Sequence, residues 1–240
     1  MGFMSEHDIW LCELDCLAEC ILHDAVARFY EKDAYGLLVE KPGISVGEMA
    51  IAGCIYRNMA NSVETLTTSD SHWQYAGLSV DVEYNLMTDD NVIRSKNFYC
   101  KHCESCQLFK CAAKRNPLCA DSSGNRHFRP DIIIHRRRTN SFNVLMVEVK
   151  VGKDRYIVDE GNALKLRDNV AMNRDLAKLC CARCREGDFK YSNCISLIVD
   201  TVAAYVINVS PFGFRASKYI VVQDRWQDDV QVYEEIMDNI

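Results

Sequence analysis

Apolar and polar positions along the first half of the chain predict two helices followed by a strand. Cys12, Cys16 and Cys20 recur every four residues in the segment 9–30, so they would share one face of a helix. Lys41-Pro42-Gly43 interrupts this pattern, and a second helix is expected to begin near Ser45, a typical N-cap residue. Apolar residues alternate with polar ones at 78–84, which predicts a strand with one polar face.

The second half of the chain contains several continuous apolar runs. Runs at 131–135 and 144–149 predict two strands, and the intervening RRRTNSFN has turn-forming residues that favour an antiparallel hairpin. A helix is expected from Asp159 to Leu179, followed by two strands, a further strand in KYIVVQD and a short acidic helix at 230–237. Residues 86–128 are polar, rich in cysteine and weakly periodic, which indicates an insertion.

Without that insertion, the predicted order after residue 44 is helix, three strands, helix, strand. Alternating elements of this kind are typical of α/β proteins, with a central sheet flanked by helices. The chain has 240 residues, 48% of them apolar and 26% charged, which suits a globular protein. We therefore predict an N-terminal helical segment at 1–43 and an α/β domain at 44–240 that is interrupted at about 86–128.

Charge and composition narrow the classes of function. The formal net charge of −6 argues against a protein that coats nucleic acid through charge alone. Basic residues nevertheless cluster near the second predicted strand, where they form either a contact surface for nucleic acid or a solvated basic edge: Arg129, Arg136, Arg137 and Arg138. We find no export signal or membrane span in the sequence and expect a cytoplasmic protein that does not associate with a membrane.

Three residues on the predicted hairpin form a set with recognisable chemistry. Asp131 begins one strand, and Glu148 and Lys150 lie two residues apart on the next, so their side chains point to the same face. The two carboxylates, with the carbonyl of Val149, offer hard oxygen ligands to Mg²⁺ (or Mn²⁺). Lys150 could orient an attacking water or offset charge on a phosphate. The set predicts metal-dependent phosphodiester hydrolysis.

These residues resemble the signature of the PD-(D/E)xK nuclease superfamily, the restriction-endonuclease-like proteins. Pro130-Asp131 corresponds to the PD half, and Glu148-Val149-Lys150 corresponds to the ExK half. The resemblance implies an αβββαβ core with a mixed central sheet. It also implies that a glutamate on the first core helix completes the metal site, and Glu48 is the matching residue. Two accessory residues follow from it: Glu83 on the first core strand and Lys165, assigned to the second core helix.

The insertion carries closely spaced cysteines. Cys100, Cys103, Cys106 and Cys111 fall within twelve positions, and pairs separated by two residues are typical of structural zinc sites. The spacing is also compatible with an iron–sulfur cluster, although the arrangement differs from that of the iron–sulfur nucleases in the superfamily, so we prefer zinc. Unliganded thiols are the remaining alternative. The total of 13 cysteines is odd, which indicates a reducing compartment.

The sequence therefore predicts a nuclease that acts on DNA, in restriction, phage defence or repair. Members of the superfamily often dimerise to cut both strands, and a homodimer or a complex with a partner protein stays open. The alternative is a catalytically inactive nuclease-like module that binds nucleic acid or protein through a zinc knuckle.

Overall fold

The fold is built on one mixed sheet of nine strands with helices packed on it. A computed structural model describes residues 6–39, 47–68, 76–82, 86–89, 92–95, 130–137, 143–183, 191–210 and 213–234. The helices are α1 (Glu6–Lys32), α2 (Glu48–Thr68) and α3 (Val170–Arg183), and a single π-helical turn, Tyr35–Val39, follows α1. The α/β class predicted from the sequence is confirmed.

The strands are bounded, in chain order, as follows: β1 (Leu78–Val82), β2 (Leu86–Asp89), β3 (Val92–Ser95), β4 (Ile132–Arg136), β5 (Asn143–Val151), β6 (Ile157–Asp159), β7 (Ala163–Leu166), β8 (Asn193–Val199), β9 (Ala203–Ser210), β10 (Gly213–Ile220) and β11 (Arg225–Glu234). The large sheet has the order β1-β4-β5-β8-β9-β10-β11-β7-β6, and β2 and β3 form a separate two-stranded sheet. Within the described ranges, no helix is long and apolar enough to cross a bilayer.

Strand pairing places β5 in the interior of the large sheet. It pairs antiparallel with β4, which confirms the predicted hairpin, and parallel with β8 on its other side. A parallel neighbour requires a crossover connection, which here includes α3. Because both edges of β5 are paired and both faces are covered, its residues from Asn143 to Lys150 are all buried.

Two hydrophobic clusters fill the space on the two faces of this sheet. Val147 and Val149 of β5 belong to a cluster with α1 and α2, whereas Met146 belongs to a cluster with α3, β6 and β7. This alternation follows from the two-residue period of a strand. Glu148 and Lys150 have the same parity as Met146, so their side chains leave β5 on the α3 face.

The N-terminal helix is part of the first cluster. Leu22 and Phe29 of α1 are fully buried and pack with Ile51 and Ile55 of α2. Polar contacts also attach α1 to the far strands of the sheet, since His23 Nε2 lies 3.1 Å from Ser217 Oγ and Glu19 pairs with Arg215. Helix α1 therefore shares its core with the α/β domain.

The helix predicted from Asp159 to Leu179 is wrong in its first half. That part of the chain contains the last residue of β6, a turn and β7, and α3 begins only at Val170. Gly161 adopts a positive φ of 85° in the turn, and its N–H donates to Asp159 Oδ1. Strand β7 also pairs in parallel with the distant β11, a contact that local periodicity does not reveal.

The C-terminal helix predicted at 230–237 is also not present where the structure describes this segment, because β11 extends to Glu234. It pairs with β10 on one side and β7 on the other. The register with β10 shifts between Ala216 and Lys218, opposite Asp229, which has a positive φ of 54°. A β-bulge there disturbs the alternation of apolar residues that would otherwise indicate a strand.

Truncating an α1 side chain tests whether this helix belongs to the core. We expect Leu22→Ala to lower the free energy of unfolding by about 2–5 kcal/mol, because it removes a fully buried side chain and leaves a cavity. Val222→Ala is the control, since Val222 is 85% exposed and its truncation should change stability by less than about 0.5 kcal/mol. Equal urea midpoints for the two variants would contradict the shared core.

Candidate functional site

Glu148 and Lys150 bring charge into the interior of the protein. Both lie near the end of β5, and only 4% and 6% of their respective surfaces are exposed. Burying an ionised side chain costs several kcal/mol unless opposite charges or hydrogen bonds compensate. The surrounding elements therefore determine which protonation states and contacts these two residues can have.

Asp131 lies beside the end of β5, as the sequence predicts. Ile132 of β4 pairs with Val147 of β5, and Asp131 is one residue beyond that pairing. The backbone N–H of Val149 donates a hydrogen bond of 2.7 Å to Asp131 Oδ2. This bond fixes the Asp131 carboxyl group next to the residue that separates Glu148 from Lys150.

The Lys150 ammonium lies among three acceptors. Its Nζ is 3.0 Å from Asp175 Oδ2, 3.2 Å from the carbonyl oxygen of Val149 and 3.3 Å from Glu48 Oε2. Glu48 is in the first turn of α2, and the Tyr156 hydroxyl donates to its other oxygen at 3.4 Å. The structure thus brings together the four residues predicted to form the catalytic set, Glu48, Asp131, Glu148 and Lys150.

Asp175 on α3 is a member of the site that the sequence analysis did not identify. Its side chain is 4% exposed, and besides Lys150 it contacts Lys178, whose Nζ is 2.7 Å from Asp175 Oδ1. Asp175 lies on the buried face of α3 with Met172, Leu176 and Leu179. A carboxylate within such an apolar stripe is the sequence signal that could have found it. We call Glu48, Asp131, Glu148, Lys150, Asp175 and Lys178 the Lys150 cluster.

The two most buried carboxyl groups of the cluster have opposite electrostatic surroundings. Burial raises the pKa of Glu148 well above its usual value, and the negative charges of Asp131 and Asp175 raise it further. Burial alone would also raise the pKa of Asp175, but Lys150 and Lys178 hold that pKa below its usual value. The protein therefore stabilises the ionised form of Asp175 and disfavours that of Glu148.

The other buried groups of the cluster show the same competition between burial and charge. Burial raises the pKa of Asp131 despite the hydrogen bond from Val149 and the charge of Lys150. Burial alone would lower the pKa of Lys150, but Asp175, Glu48 and Glu148 raise it above its ordinary value. Lys150 is consequently held as an ammonium ion at neutral pH.

One oxygen of Glu148, the buried Oε1, accepts no hydrogen bond from any residue that the structure describes. Buried polar atoms are usually satisfied, and an exception in a native structure requires an explanation. Glu148, Asp131 and the Val149 carbonyl together offer the hard oxygen donors that Mg²⁺ prefers, so these residues could hold such an ion. Over the described part of the chain, no three His, Cys, Asp or Glu side chains already converge in a metal-binding arrangement.

The position of Lys150 explains why the carboxylates of the cluster do not converge. Its ammonium contacts both Glu48 and Asp175, so it occupies the space in which these carboxylates could otherwise converge. Glu48 is the most accessible of the carboxylates that contact Lys150, with 42% of its side chain exposed. A rearrangement of Glu48 would therefore disturb the fold less than one of Asp175.

Several other residues predicted from the sequence lie elsewhere. Lys165 is in β7 rather than on a helix, because α3 begins five residues later, and it is in register with Val158 and Tyr233. Strand β7 is eighth in the order of the sheet, whereas β5 is third. Residues outside the described part of the chain are Glu83, Arg129, Arg138 and the cysteines Cys100, Cys103, Cys106 and Cys111.

Arg136 and Arg137 lie at the opposite end of β4 from Asp131. Five residues of extended chain separate Asp131 from Arg136, a distance of roughly 16 Å. Arg137 is exposed and forms an ion pair with Asp81 of β1, and His135 Nε2 is 2.7 Å from the same carboxylate. Arg136 and Arg137 of the predicted basic surface are thus separated from the Lys150 cluster by the length of a strand.

No family model, curated protein or solved structure matches this chain.

The contrast between Glu148 and Asp175 predicts opposite effects on stability in metal-free protein at neutral pH. Glu148→Gln removes a carboxylate that the fold disfavours, so we expect the melting temperature to rise by about 2–4 °C. Asp175→Asn removes the partner of two ammonium groups, and we expect a loss of about 3 kcal/mol. Thermal unfolding in the presence of EDTA measures both.

The pH dependence of stability provides a further check on the predicted effect of Glu148→Gln. Glu148 has a raised pKa in the folded state, so its destabilising effect grows as the pH rises above the usual glutamate value of 4.5. The advantage of Glu148→Gln should therefore disappear as the pH falls towards that value. A Glu148→Gln variant that is as destabilised as Asp175→Asn at neutral pH would show that the charge assignments are wrong.

Proposed function

We propose that the protein is a Mg²⁺-dependent nuclease of the PD-(D/E)xK type that hydrolyses phosphodiester bonds in DNA. The observation that carries the proposal is the convergence of Pro130-Asp131 and Glu148-Val149-Lys150 around Glu148 Oε1, a buried oxygen to which no described residue donates a hydrogen bond. Each motif half is short enough to occur by chance. Their meeting in space, together with Glu48 from α2, is much harder to attribute to chance.

The order of elements supports the same proposal. Helix α2, strands β1, β4 and β5, helix α3 and strand β8 follow the helix, three strands, helix, strand order of the superfamily core. Of the additional elements, β2 and β3 precede β4, and β6 and β7 precede α3. Helix α1 comes before this series, and β9, β10 and β11 follow it. Asp131 immediately precedes β4, and Glu148 and Lys150 lie on β5, so all three belong to the hairpin that would form the centre of such a core.

The charge balance of the Lys150 cluster supports a divalent cation. The cluster contains four carboxyl groups and two ammonium groups, so full ionisation would leave two negative charges without compensation. A divalent ion held by Asp131, Glu148 and the Val149 carbonyl, with Glu48 as a further ligand, would balance that charge. Oxygen ligands of this kind select Mg²⁺ or Mn²⁺ over softer metals.

The residues of the cluster would divide the work of hydrolysis. When bound, the ion would polarise the scissile phosphate and lower the pKa of a coordinated water. The Val149 N–H orients Asp131, and the pairing of β5 with β8 fixes the backbone of Glu148. Lys150 would direct the attacking water or offset negative charge that develops on the phosphate. Asp175 keeps the Lys150 ammonium charged and close to the reaction centre.

Contacts to the DNA backbone should lie close to this end of β5. Lys153 and Arg155 lie in the short helical turn that follows β5. Arg167 is held near the cluster because its backbone N–H donates to the carbonyl of Tyr156, and the Tyr156 hydroxyl contacts Glu48. Arg155 and Arg167 are exposed. Lys153, Arg155 and Arg167 are better placed than Arg136 and Arg137 to contact a phosphate backbone at the cluster. The neighbouring Asp154 and Asp168 reduce the positive potential there.

The proposal places the protein in restriction, phage defence or repair, where nucleases of this type act in the cytoplasm. A cleavage assay on single- and double-stranded DNA and RNA, with MgCl₂ or with EDTA, tests the activity directly. We expect DNA cleavage that requires the cation. Tight binding of DNA without cleavage, with or without MgCl₂ or MnCl₂, would instead identify an inactive binding module.

Substitution of two cluster residues distinguishes the proposed site from a contaminating activity. We expect Lys150→Ala to lower Mg²⁺-dependent cleavage by at least about 100-fold, because it removes a charge that acts on the transition state. Glu148→Gln should also abolish cleavage, and since we expect it to stabilise the metal-free fold, unfolding could not explain the loss. Lys32→Ala, at the exposed end of α1, is the matched control and should retain full activity. Undiminished cleavage by both cluster variants would refute the proposal.

A further inference from the structure

All three N–H groups of the Lys150 ammonium have an acceptor. An ammonium group has three donors and no acceptor. Asp175, the Val149 carbonyl and Glu48 lie 3.0, 3.2 and 3.3 Å from Nζ. In this arrangement no N–H of Lys150 remains to contact a water molecule or a phosphate. At least one of the three contacts must break before Lys150 can perform the role proposed above.

The three acceptors differ in how firmly they are held. Asp175 is 4% exposed, lies within α3 and is fixed from its other oxygen by Lys178 at 2.7 Å. Glu48 is 42% exposed, and its contacts with Lys150 and with Tyr156 are 3.3 and 3.4 Å long. Exposed ion pairs contribute little net energy, whereas breaking a buried one costs several kcal/mol. Glu48 is therefore the acceptor that Lys150 loses most easily, and Asp175 is the one that it keeps.

The two weaker acceptors are also oxygens that a cation would need. Glu48 and the Val149 carbonyl belong to the ligand set of the proposed function, whereas Asp175 does not. A cation and an ammonium group that share an oxygen repel each other at close range, which disfavours both remaining on the same oxygen. Occupation of the cation site would thus compete with Lys150 for these two acceptors and for no others.

We infer that Asp175 is the permanent positioning residue of Lys150, and that cation binding releases the ammonium from Glu48 and the Val149 carbonyl so that it can engage substrate. The inference rests on the cation site of the proposed function. It links metal binding to the freeing of Lys150: in metal-free protein the ammonium is fully engaged by the protein itself. Two N–H groups become available only in the cation-bound state, in which Asp175 still fixes the third.

Because the two effects are linked, the competition can be measured either as the effect of the cation on Lys150 or as the effect of Lys150 on cation affinity. If the cation weakens the contacts of the ammonium, then removing the ammonium must strengthen cation binding. Lys150→Met should therefore bind Mg²⁺ at least about fivefold more tightly than the unmodified protein. Lys178→Met is the matched control, because it also removes one positive charge beside Asp175, but from the other oxygen of that carboxylate, Oδ1. Its affinity should change much less.

Calorimetric titration of the full chain with MgCl₂, without nucleic acid, measures these affinities. Tighter binding by Lys150→Met than by Lys178→Met supports competition for the oxygens. Equal gains for the two variants would show that only the loss of charge matters, and would overturn the inference. The measurement does not depend on catalysis.

Nitrogen-selective NMR of the lysine ammonium groups observes the release in the unmodified protein. Only ammonium groups that are buried and hydrogen-bonded exchange slowly enough to be seen, and the spectra of Lys150→Met and Lys178→Met assign the two signals. We expect saturating MgCl₂ to shift the Lys150 signal and to accelerate its exchange with water, while the Lys178 signal changes little. A Lys150 signal that Mg²⁺ leaves unchanged would overturn the inference.

The role of Asp175 is tested in the same spectra. In Asp175→Asn, the Lys150 signal should disappear when Mg²⁺ is added, because its last fixed acceptor is lost; Asp175→Glu should restore it. Persistence of the signal in Asp175→Asn would refute the positioning role. If Asp175→Asn does not fold, the titration of the unmodified protein still decides whether the cation releases Lys150.

The outcomes separate this inference from the proposed function. Absence of Mg²⁺ binding to the unmodified protein would overturn both. Mg²⁺ binding and DNA cleavage with an unchanged Lys150 signal would overturn only the inference. Release of Lys150 by Mg²⁺ in a protein that cleaves no nucleic acid would support the inference and overturn the nuclease proposal.

Discussion

The constraint on which the site depends is that charged groups buried at the end of β5 must be compensated by their neighbours. Glu148 and Lys150 occupy a strand whose two edges are paired and whose two faces are covered, so water cannot solvate them fully. The helices that pack on this strand compensate the two buried charges unequally. Asp175 of α3 and Glu48 of α2 compensate Lys150, whereas no described residue donates a hydrogen bond to Glu148 Oε1, and the charges of Lys178 and Lys150 offset its burial only in part. The sheet therefore holds an excess of buried carboxylate in a rigid setting.

Such an excess costs stability, which makes it informative about function. A buried carboxylate with a raised pKa weakens the fold unless another group, such as a bound cation, stabilises it, and groups of this kind concentrate at functional sites. Asp175 shows that the same interior can stabilise a carboxylate when ammonium groups are supplied. The difference between the two groups is thus a matter of local partners and not of burial, since both are almost fully buried.

The parts of the fold that could be predicted from sequence are those with long and regular patterns. The apolar runs of β4 and β5 are continuous, so the hairpin and the approach of Asp131 to Glu148 and Lys150 followed from local sequence. Strands β6 and β7 are only three and four residues long, and β7 depends on pairing with β11 about seventy residues away. Such short segments carry too little periodicity to distinguish a strand from a helix.

The candidate site divides in the same way. Glu148 and Lys150 could be identified because two residues on one strand share a face, and Glu48 through the resemblance to the superfamily. Asp175 and Lys178 were not identified from the sequence, because they join the site only when α3 packs against β5. Arg136 and Arg137 are near Asp131 in sequence, but an extended strand carries them to the opposite end of the sheet. Proximity along a strand is therefore a poor guide to proximity at a site.

The most direct test of the central claim is to locate a cation in crystals of the protein soaked in MnCl₂, using the anomalous scattering of manganese. If the Glu148 carboxylate is a metal ligand, an anomalous peak will lie within coordination distance of Glu148 Oε1 and Asp131, and the Lys150 ammonium will remain on Asp175. Well-ordered crystals with no manganese at Glu148, or with manganese bound only elsewhere, would contradict it.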